Sequence, residues 1–268
     1  MYRIVASDMD GTLLGEDHLM PQANVRAIAR LRELGVLFVP TSGRNYPSLM
    51  DGFAEMADLL EGSYVISFNG GCVNRVGDPT PLACHTMEHE KAQQLLSYAE
   101  GLEVGIHVYL AAGEIWCSNL PQEERDWLDG LQDYEDFEGT DIGFLADKPI
   151  AKVLYMSTDF SYLHEVERQM RDVSAGCEVS FSSGRYLEFN PAGVNKAAGV
   201  RELCQIVGTD IADVICMGDA ANDASMIAAA GLGVAVANAE KDIKELADVV
   251  LDARAEDGAL AEVARRFF

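Results

Sequence analysis

Short apolar runs alternate with helical patterns along most of this chain. Each run is bounded by Gly, Asp or Asn and is apolar at nearly every position, which is typical of strands buried on both faces of a sheet. The predicted strands are Arg3–Ser7, Leu37–Thr41, Tyr64–Phe68, Val214–Met217 and Gly233–Val236.

The segments between these runs carry apolar residues at helical spacing. One pattern runs through Val25, Ile28, Leu31 and Leu34 and stops at Gly35. A second pattern covers residues 197–207 and follows Asn195, a residue type that favours the N-cap of a helix. Strands that alternate with helices predict an α/β fold with a parallel sheet.

The middle of the chain, after Gly77-Asp78-Pro79, has strands and amphipathic helices of its own. Its predicted strands are Gly105–Leu110, Ala151–Ser157 and Glu178–Phe181. One predicted helix carries Ala92, Leu95, Leu96, Ala99 and Leu102, and another carries Leu163, Val166, Met170 and Val173. We therefore predict an inserted α+β domain over residues 79–188, within a discontinuous core of residues 1–78 and 189–268.

Composition excludes some partners and favours a compartment. A net charge of −24 and a pI near 4.4 argue against nucleic-acid backbones and anionic membranes, because both attract basic surfaces. The N-terminus lacks a signal-peptide pattern, and the longest uncharged run, residues 224–239, is too short to span a bilayer. The 6 cysteines show no C-x-x-C spacing and are expected to be small core residues in a reducing compartment. We predict a cytoplasmic location.

Polar clusters follow four of the predicted core strands. They are Asp8-Met9-Asp10-Gly11-Thr12, Thr41-Ser42-Gly43-Arg44, Phe68-Asn69-Gly70-Gly71 and Gly218-Asp219-Ala220-Ala221-Asn222-Asp223. Ligands of open α/β sheets bind beyond the carboxyl ends of the strands, so neighbouring strands would bring these carboxylates into one crevice. Their mutual repulsion calls for a cation, and oxygen ligands without clustered His or Cys favour Mg²⁺.

Lys196 balances the acids from another direction. It opens the helix after Asn195, where the helix dipole is already positive. Lysine, Mg²⁺ and the N–H groups of a glycine loop together would bind a phosphoryl group. Of the paired aspartates, one would attack phosphorus to give an aspartyl-phosphate. The other would protonate the leaving oxygen and then activate water.

These segments together resemble a known family, the haloacid dehalogenase-like phosphatases, and within it the Cof-type branch with a large α/β (type IIB) cap. The resemblance rests on DMDGTLL, TSGR, FNGG, NPAGVNK and GDAANDASM in this order, and it extends over nearly the whole chain. It implies a Rossmann-like parallel-sheet core with an inserted α+β cap domain.

The resemblance also implies residue roles. Asp8 would be the nucleophile and Asp10 the general acid/base. Mg²⁺ would be held by Asp8, the backbone carbonyl of Asp10 and Asp219, with Asp223 as a weaker contact. The implied phosphate and substrate contacts are Ser42, Gly43, Arg44, Asn69, Lys196 and Asn222. Ser42 supplies a hydroxyl where the family often has Thr.

The sequence thus predicts a Mg²⁺-dependent phosphatase that hydrolyses a small phosphorylated metabolite, a sugar phosphate or a phosphorylated cofactor, through an aspartyl-phosphate intermediate. Two alternatives stay open: a phosphosugar mutase on the same scaffold and a non-catalytic phosphometabolite-binding protein. A dinucleotide enzyme is excluded, because Gly231-Leu232-Gly233 precedes a strand instead of opening a helix.

Several candidate residues also have structural interpretations. Paired aspartates at a strand end can start a turn, and Asn222-Asp223 can cap a helix. Arg44 can form an ion pair between core and cap. In the cap, side chains that could face the substrate are His107, Tyr109, Trp116, Lys152 and Arg185. The sequence assigns neither a particular substrate nor an oligomeric state.

Overall fold

The computed structural model describes residues 2–268, except for the side chains of residues 55 and 56. Within this range the chain divides into two compact units. The core unit comprises the residues up to 83 together with Asn195–Phe268, and the inserted unit is Cys84–Val194. None of the described helices is long and apolar enough to cross a bilayer.

The secondary-structure elements are numbered in chain order. The strands are β1 Ile4–Ser7, β2 Leu37–Pro40, β3 Tyr64–Ser67, β4 Cys72–Arg75, β5 Pro81–Cys84, β6 Gly105–Leu110, β7 Ile115–Ser118, β8 Glu135–Asp136, β9 Ile150–Met156, β10 Cys177–Ser182, β11 Tyr186–Pro191, β12 Val214–Gly218, β13 Leu232–Ala235 and β14 Val249–Val250. The α-helices are α1 Gln22–Glu33, α2 Tyr46–Asp51, α3 His89–Tyr98, α4 Gln122–Leu128, α5 Phe160–Gln169, α6 Lys196–Val207, α7 Ala224–Ala229, α8 Lys241–Leu246 and α9 Ala255–Phe267.

The core unit contains a parallel five-stranded sheet in the order β14-β13-β12-β1-β2. Successive residues of β1 point to opposite faces, as strand geometry requires. Val5 packs with Leu31 of α1 and Leu260 of α9 on one face. Ala6 packs with Val200 of α6 on the other face. Both faces are therefore covered, which confirms the α/β prediction.

Helix α6 begins and ends where its sequence indicates. The Asn195 side chain accepts a hydrogen bond from the Ala198 N–H at 3.0 Å, so it is the predicted N-cap. At the other end, Gly208 adopts a left-handed conformation with φ 69°, which glycine tolerates without a Cβ clash. These two signals set the ends of α6, and the N-cap makes Lys196 the first residue of the helix.

Strand β3 differs from expectation. It was predicted as a strand of the parallel sheet, but it pairs antiparallel with β4 in a three-stranded sheet in the order β3-β4-β5. A parallel bridge from Thr41 to Ile66 ties this small sheet to the end of β2. The turn at Phe68–Gly70 reverses the chain, so β3 can pair with the strand that follows it.

The cysteine prediction is wrong for two residues. Cys72 of β4 and Cys84 of β5 are disulfide-bonded. The remaining cysteines are free thiols: Cys117, Cys177, Cys204 and Cys216. C-x-x-C spacing detects only cysteines close together in the sequence, whereas a disulfide depends on which residues the fold brings together.

The inserted unit has a six-stranded sheet in the order β10-β11-β9-β6-β7-β8, in which all pairings except β7 with β8 are antiparallel. Helices α3 and α5 pack on one face through Leu95 and Val166. Both helices end earlier than their apolar patterns suggest, at Tyr98 and Gln169. Leu102 and Val173 still pack against this core from the segments that follow.

The unit boundaries lie a few residues after the predicted ones at 79 and 188. Residues 79–83 stay with the core unit because β5 belongs to the sheet of β3 and β4. At the second boundary, residue 188 falls inside β11, which pairs with β9 and β10. The unit therefore continues through this strand to Val194.

Candidate active site

The carboxyl ends of three parallel strands lie level with one another. Ser7, the last residue of β1, pairs with Pro40 of β2 and Met217 of β12. The next residues of the three segments carry Asp8, Ser42 and Asp219. Because the strand ends are in register, these polar side chains begin from the same edge of the sheet.

Lys196 joins two of the aspartates. Its side chain is fully buried, and its Nζ donates to Oδ1 of Asp8 at 2.5 Å and to Oδ1 of Asp223 at 2.6 Å. Burial by itself lowers the pKa of Lys196, but the carboxylates of Asp223 and Asp8 outweigh burial and raise it. The ammonium is therefore charged, and it offsets negative charge that would otherwise be isolated in the interior.

Two glycines allow Lys196 to reach this position. A Cβ atom on Gly70 would lie 2.1 Å from the carbonyl oxygen of Asn195, and one on Gly199 would lie 2.6 Å from the Cα atom of Gly70. The N-terminal turn of α6 thus packs directly on the backbone of the Phe68–Gly70 turn. This close approach explains why the first glycine of the FNGG segment, Gly70, has no side chain.

Three carboxylates form one cluster. Oxygens of Asp8, Asp219 and Asp223 all lie within 4.8 Å of one another. Burial and the charges of Asp223 and Asp219 raise the pKa of Asp8, although Lys196 opposes the shift. Burial and Asp223 likewise raise the pKa of Asp219 to about 6. Such repulsion among oxygen ligands is the condition that a divalent cation relieves.

Asp223 has more partners than a simple metal ligand. Its Oδ1 accepts from Lys196, while its Oδ2 accepts from the backbone N–H groups of Asp219 and Ala220 at 3.0 and 3.1 Å. These bonds hold the loop that carries Asp219. The sequence interpretation of Asp223 as a cap of the helix that follows it, α7, is therefore wrong. Asp223 stands at the N-cap position of α7 but makes no side-chain bond to that helix, and its bonds go to the preceding segment and to Lys196.

Thr12 is a site residue that the sequence analysis did not single out. It is fully buried, and its Oγ1 donates to Oδ1 of Asp219 at 2.8 Å. The neighbouring Gly11 has φ 80°, and a Cβ atom there would lie 2.6 Å from Oδ2 of Asp219. The Gly-Thr pair after the aspartates thus orients Asp219, and its presence in the first motif was the available signal.

Ser42, Gly43, Asn69 and Asn222 lie together at the ends of β2, β3 and β12. The Asn69 N–H donates to the carbonyl oxygen of Ser42 at 2.9 Å, and Asn222 Nδ2 lies 3.5 Å from Asn69 Oδ1. A Cβ atom on Gly43 would lie 3.1 Å from Asn69. Asn69 has φ 54°, a left-handed conformation that costs about 1 kcal/mol in a non-glycine residue. Such strain is concentrated at functional sites.

Arg44 contacts Asp10 inside the core unit. Its NH2 and Nε atoms donate to the two oxygens of Asp10 at 2.5 and 3.0 Å. His18 also contacts this carboxylate, with Nδ1 3.2 Å from Oδ1. Asp10 is part of an exposed ion pair, whereas Asp8 is buried with Lys196.

The inserted unit gathers most of its candidate residues into a buried polar cluster. Lys152 donates to Glu188 at 2.7 Å, and its Nζ lies 4.9 Å from the ring centroid of Tyr109. His107 Nε2 lies 3.4 Å from Oε1 of Glu124. Burial, followed by the charges of Lys152 and Arg185, lowers the pKa of His107 to about 3 and keeps the ring neutral.

Comparison with known sequences finds relatives along nearly the whole chain. A family model for haloacid dehalogenase-like hydrolases matches residues 5–263. YcsE of Bacillus subtilis (strain 168), named a 5-amino-6-(5-phospho-D-ribitylamino)uracil phosphatase, is 29% identical over 260 residues, covering 96% of this chain and 92% of the relative. An HMP-PP phosphatase of Serratia proteamaculans (strain 568) is 28% identical over 250 residues, with 92% and 88% covered.

Solved structures show the same architecture. A haloacid dehalogenase-like hydrolase from Bacteroides thetaiotaomicron superposes with a TM-score of 0.82 at 28% identity, covering 100% of both chains. The subclass IIB sugar phosphatase BT4131 superposes with a TM-score of 0.86 at 20% identity, covering 99% of this chain and 98% of the other. The family model and the sequence relatives confirm the predicted Cof-type phosphatase family and an enzyme that hydrolyses phosphoric monoesters, and the solved structures confirm the fold class. The chain therefore belongs to the haloacid dehalogenase-like hydrolases.

Proposed function

We propose that the protein is a Mg²⁺-dependent phosphatase that hydrolyses a small phosphorylated metabolite through an aspartyl-phosphate intermediate. The observation that carries this proposal is the fully buried Lys196 ammonium shared by Asp8 and Asp223. A charged lysine beside a carboxylate at the edge of a parallel sheet can neutralise both that carboxylate and an incoming phosphoryl group.

In this proposal Asp8 is the nucleophile. A carboxylate attacks only in its ionised form, and Lys196 favours that form against the effect of burial. A bond forms between an Asp8 oxygen and phosphorus, and the bond from phosphorus to the leaving oxygen breaks. Water then attacks the same phosphorus, which releases inorganic phosphate and restores Asp8.

Asp10 is the proposed general acid/base. It gives a proton to the leaving oxygen in the first step and takes a proton from the attacking water in the second. Its exposed position on the segment after β1 suits proton exchange with substrate and solvent. The two aspartates thus work in different surroundings, one buried against a lysine and one paired with an arginine.

The residues present fit a divalent metal ion. The cluster consists of oxygen donors, and burial with mutual repulsion raises the pKa values of Asp8 and Asp219. We propose that Asp8, Asp219 and the backbone carbonyl of Asp10 hold Mg²⁺, and that Asp223 acts by orienting Asp219 and Lys196. When bound, Mg²⁺ supplies positive charge against the aspartates and the phosphoryl oxygens.

The phosphate is proposed to bind at the ends of β2, β3 and β12. Ser42 would donate its hydroxyl to a phosphoryl oxygen, Lys196 would neutralise the charge, and Gly43 would leave room for close approach. Asn69 and Asn222 would line the pocket, and Arg44 would contact the substrate from the side of Asp10. We further propose that the inserted unit acts as the cap that selects the substrate.

We propose that the substrate is a small phosphorylated metabolite, as it is for two of the named relatives. These two are named for a phosphorylated ribitylaminouracil and for HMP-PP, which supports a small phosphorylated metabolite here. We propose no nucleic-acid or membrane partner, because the net charge of −24 disfavours anionic surfaces. We also propose a cytoplasmic location, where small phosphorylated metabolites are found, but the disulfide-bonded Cys72 and Cys84 remove the cysteine argument for it.

The decisive experiment is a phosphate-release screen over small phosphorylated metabolites, with and without Mg²⁺, using the wild type and Asp8→Asn. We expect release by the wild type that depends on Mg²⁺ and is lost in the variant. The far-ultraviolet circular dichroism of the variant should be unchanged, since Lys196 keeps Asp223 as a partner. Hydrolysis by a folded Asp8→Asn protein would refute the assignment of Asp8 as the nucleophile. Transfer products without free phosphate would instead support the mutase.

A further inference from the structure

The carboxylate of Asp10 is held from two sides. Arg44 provides one side, with NH2 and Nε donating to Oδ1 and Oδ2. His18 provides the other, with Nδ1 3.2 Å from Oδ1. An ionised carboxylate is only an acceptor, so the His18 tautomer that suits this contact carries its proton on Nδ1.

The backbone at His18 is in an unfavourable conformation. Its φ is 58°, in the left-handed region, where a non-glycine residue costs about 1 kcal/mol. Two backbone bonds in the surrounding turn hold it there: the His18 N–H donates to Gly15 at 2.9 Å, and the Gly15 N–H donates to Leu19 at 3.1 Å. The Asp17 side chain also accepts from the Leu19 N–H at 3.0 Å.

Packing does not account for this conformation. The His18 side chain is 65% exposed, so it adds little to the core. Its contact with Asp10 is also solvent-accessible, and exposed contacts between such groups contribute little to stability. A turn that keeps a strained residue with its imidazole on a carboxylate points to a role for that carboxylate.

We propose that His18 is a positioning residue for the acid–base chemistry of Asp10, an inference that rests on the proposed phosphatase function. Of the contacts described for this carboxylate, two fall on Oδ1 and one falls on Oδ2. His18 and Arg44 thereby fix Oδ1 as the acceptor. Oδ2 accepts from Arg44 Nε, so when Arg44 turns to the substrate, Oδ2 becomes the oxygen that carries the proton to the leaving group and recovers it from water.

His18 has a task that Arg44 cannot perform alone. The guanidinium fork holds the plane of the carboxylate, but Arg44 is also proposed to contact the substrate. A second donor on Oδ1 keeps Asp10 oriented while Arg44 engages the substrate. His18 lies outside the proposed phosphate contacts, so its removal changes Asp10 without removing a phosphate ligand.

The test compares His18→Gly with His18→Asn. Glycine tolerates the left-handed turn but has no side chain, while asparagine tolerates the turn and places an amide donor where Nδ1 stands. Each variant is assayed on p-nitrophenyl phosphate, a good leaving group, and on glycerol phosphate, a poor one. The parameter is kcat/KM, which covers only the steps through departure of the leaving group.

A positioning role predicts unequal losses. His18→Gly should lower kcat/KM for glycerol phosphate by about tenfold and for p-nitrophenyl phosphate by less than about twofold, because a good leaving group needs little protonation. His18→Asn should recover glycerol phosphate hydrolysis to within about threefold of the wild type. Equal losses on both substrates, or equal losses in both variants, would overturn the inference.

A spectroscopic readout decides the contact without any turnover. In nitrogen-15 spectra of the imidazole side chains, Asp10→Asn should shift the Nδ1 resonance of His18, while the other histidines serve as internal controls. An unchanged His18 resonance refutes the inference whatever the activity. Absence of hydrolysis by the wild type, together with a shifted resonance, would refute the proposed phosphatase function and with it this role for His18.

Discussion

The two units each bury a lysine with a carboxylate, but the two arrangements differ in balance. Lys196 of the core unit lies between Asp8 and Asp223, with Asp219 in the same cluster. Lys152 of the inserted unit pairs with Glu188, which also accepts from the hydroxyl of Ser182. The core site has more acids than bases, whereas the other pair is neutral. This surplus of negative charge supports the proposal that the core cluster binds a cation.

The largest predicted effect is on turnover at the core lysine. Lys196→Met should lower kcat by about a thousandfold, because charge on the phosphoryl group is no longer neutralised. The matched control is Lys152→Met, which should change kcat by less than about threefold. Steady-state kinetics on one substrate checks both variants. An equal loss in Lys152→Met would break the comparison by giving the second lysine a role in the reaction.

The next effect is on the stability of the inserted unit. Lys152→Met leaves Glu188 buried without its partner, which should cost about 3 kcal/mol of unfolding free energy. Changing Glu188→Leu as well should recover about half of that loss, because the pair is then replaced by apolar groups. Urea unfolding of both variants measures the difference. A larger loss of unfolding free energy in the double variant than in Lys152→Met would show that Lys152 and Glu188 do not act as a pair.

A smaller effect concerns pH and His107. Its pKa is lowered to about 3 by burial, then by Lys152 and Arg185, while Glu124 lies 3.4 Å away. The unfolded chain takes up a proton on His107 near pH 6.5, whereas the folded chain takes it up only near pH 3. Protonation of His107 therefore costs no unfolding free energy above pH 6.5, and it destabilises the folded protein increasingly as the pH falls from 6.5 toward 3. Between pH 6.5 and 5 the loss from this group should be about 2 kcal/mol.

The measurement for His107 is the difference in unfolding free energy between the wild type and His107→Phe across this pH range. The variant should lose less stability on acidification, since it lacks the group that titrates. Other acids contribute to both proteins and cancel in the difference. Parallel curves for the two proteins would contradict the assignment.

The smallest effect is at Thr12. Thr12→Val removes the hydrogen bond to Asp219 and should raise the Mg²⁺ concentration for half-maximal activity by about tenfold. Thr12→Ser keeps the hydroxyl and should stay within about twofold of the wild type. Mg²⁺ titration of activity distinguishes the two. A similar shift in both variants would contradict the assignment, because Thr12→Ser keeps the hydroxyl that donates to Asp219.

The sequence predicted best where one local signal fixed one local structure. The strand ends that carry Asp8 and Asp219 follow from apolar runs that stop at acidic residues, and Asn195 caps α6 as its type indicates. Strand β11 was not predicted, because Leu187 and Phe189 alternate with Glu188 and Asn190, so the segment is not one of the fully apolar runs that indicate the other strands.

Features that depend on distant contacts could not be read in advance. The bond from Thr12 to Asp219 joins residues far apart in the chain, and β3 leaves the parallel sheet because β4 pairs with it. The orientation of Asp10 toward Arg44 and His18 is set by the turn at His18, whose left-handed conformation no sequence pattern announced. Spacing alone therefore gave the residue set but not its internal contacts.

The contact between Gly70 and Asn195 has a consequence for variation at this position. The first methyl group on residue 70 would overlap a carbonyl oxygen at 2.1 Å, so even alanine would push the start of α6 outward. The ammonium at that helix end would move with it, away from both aspartates. The location of the positive charge in this enzyme is thus decided at a residue that carries no charge and no side chain.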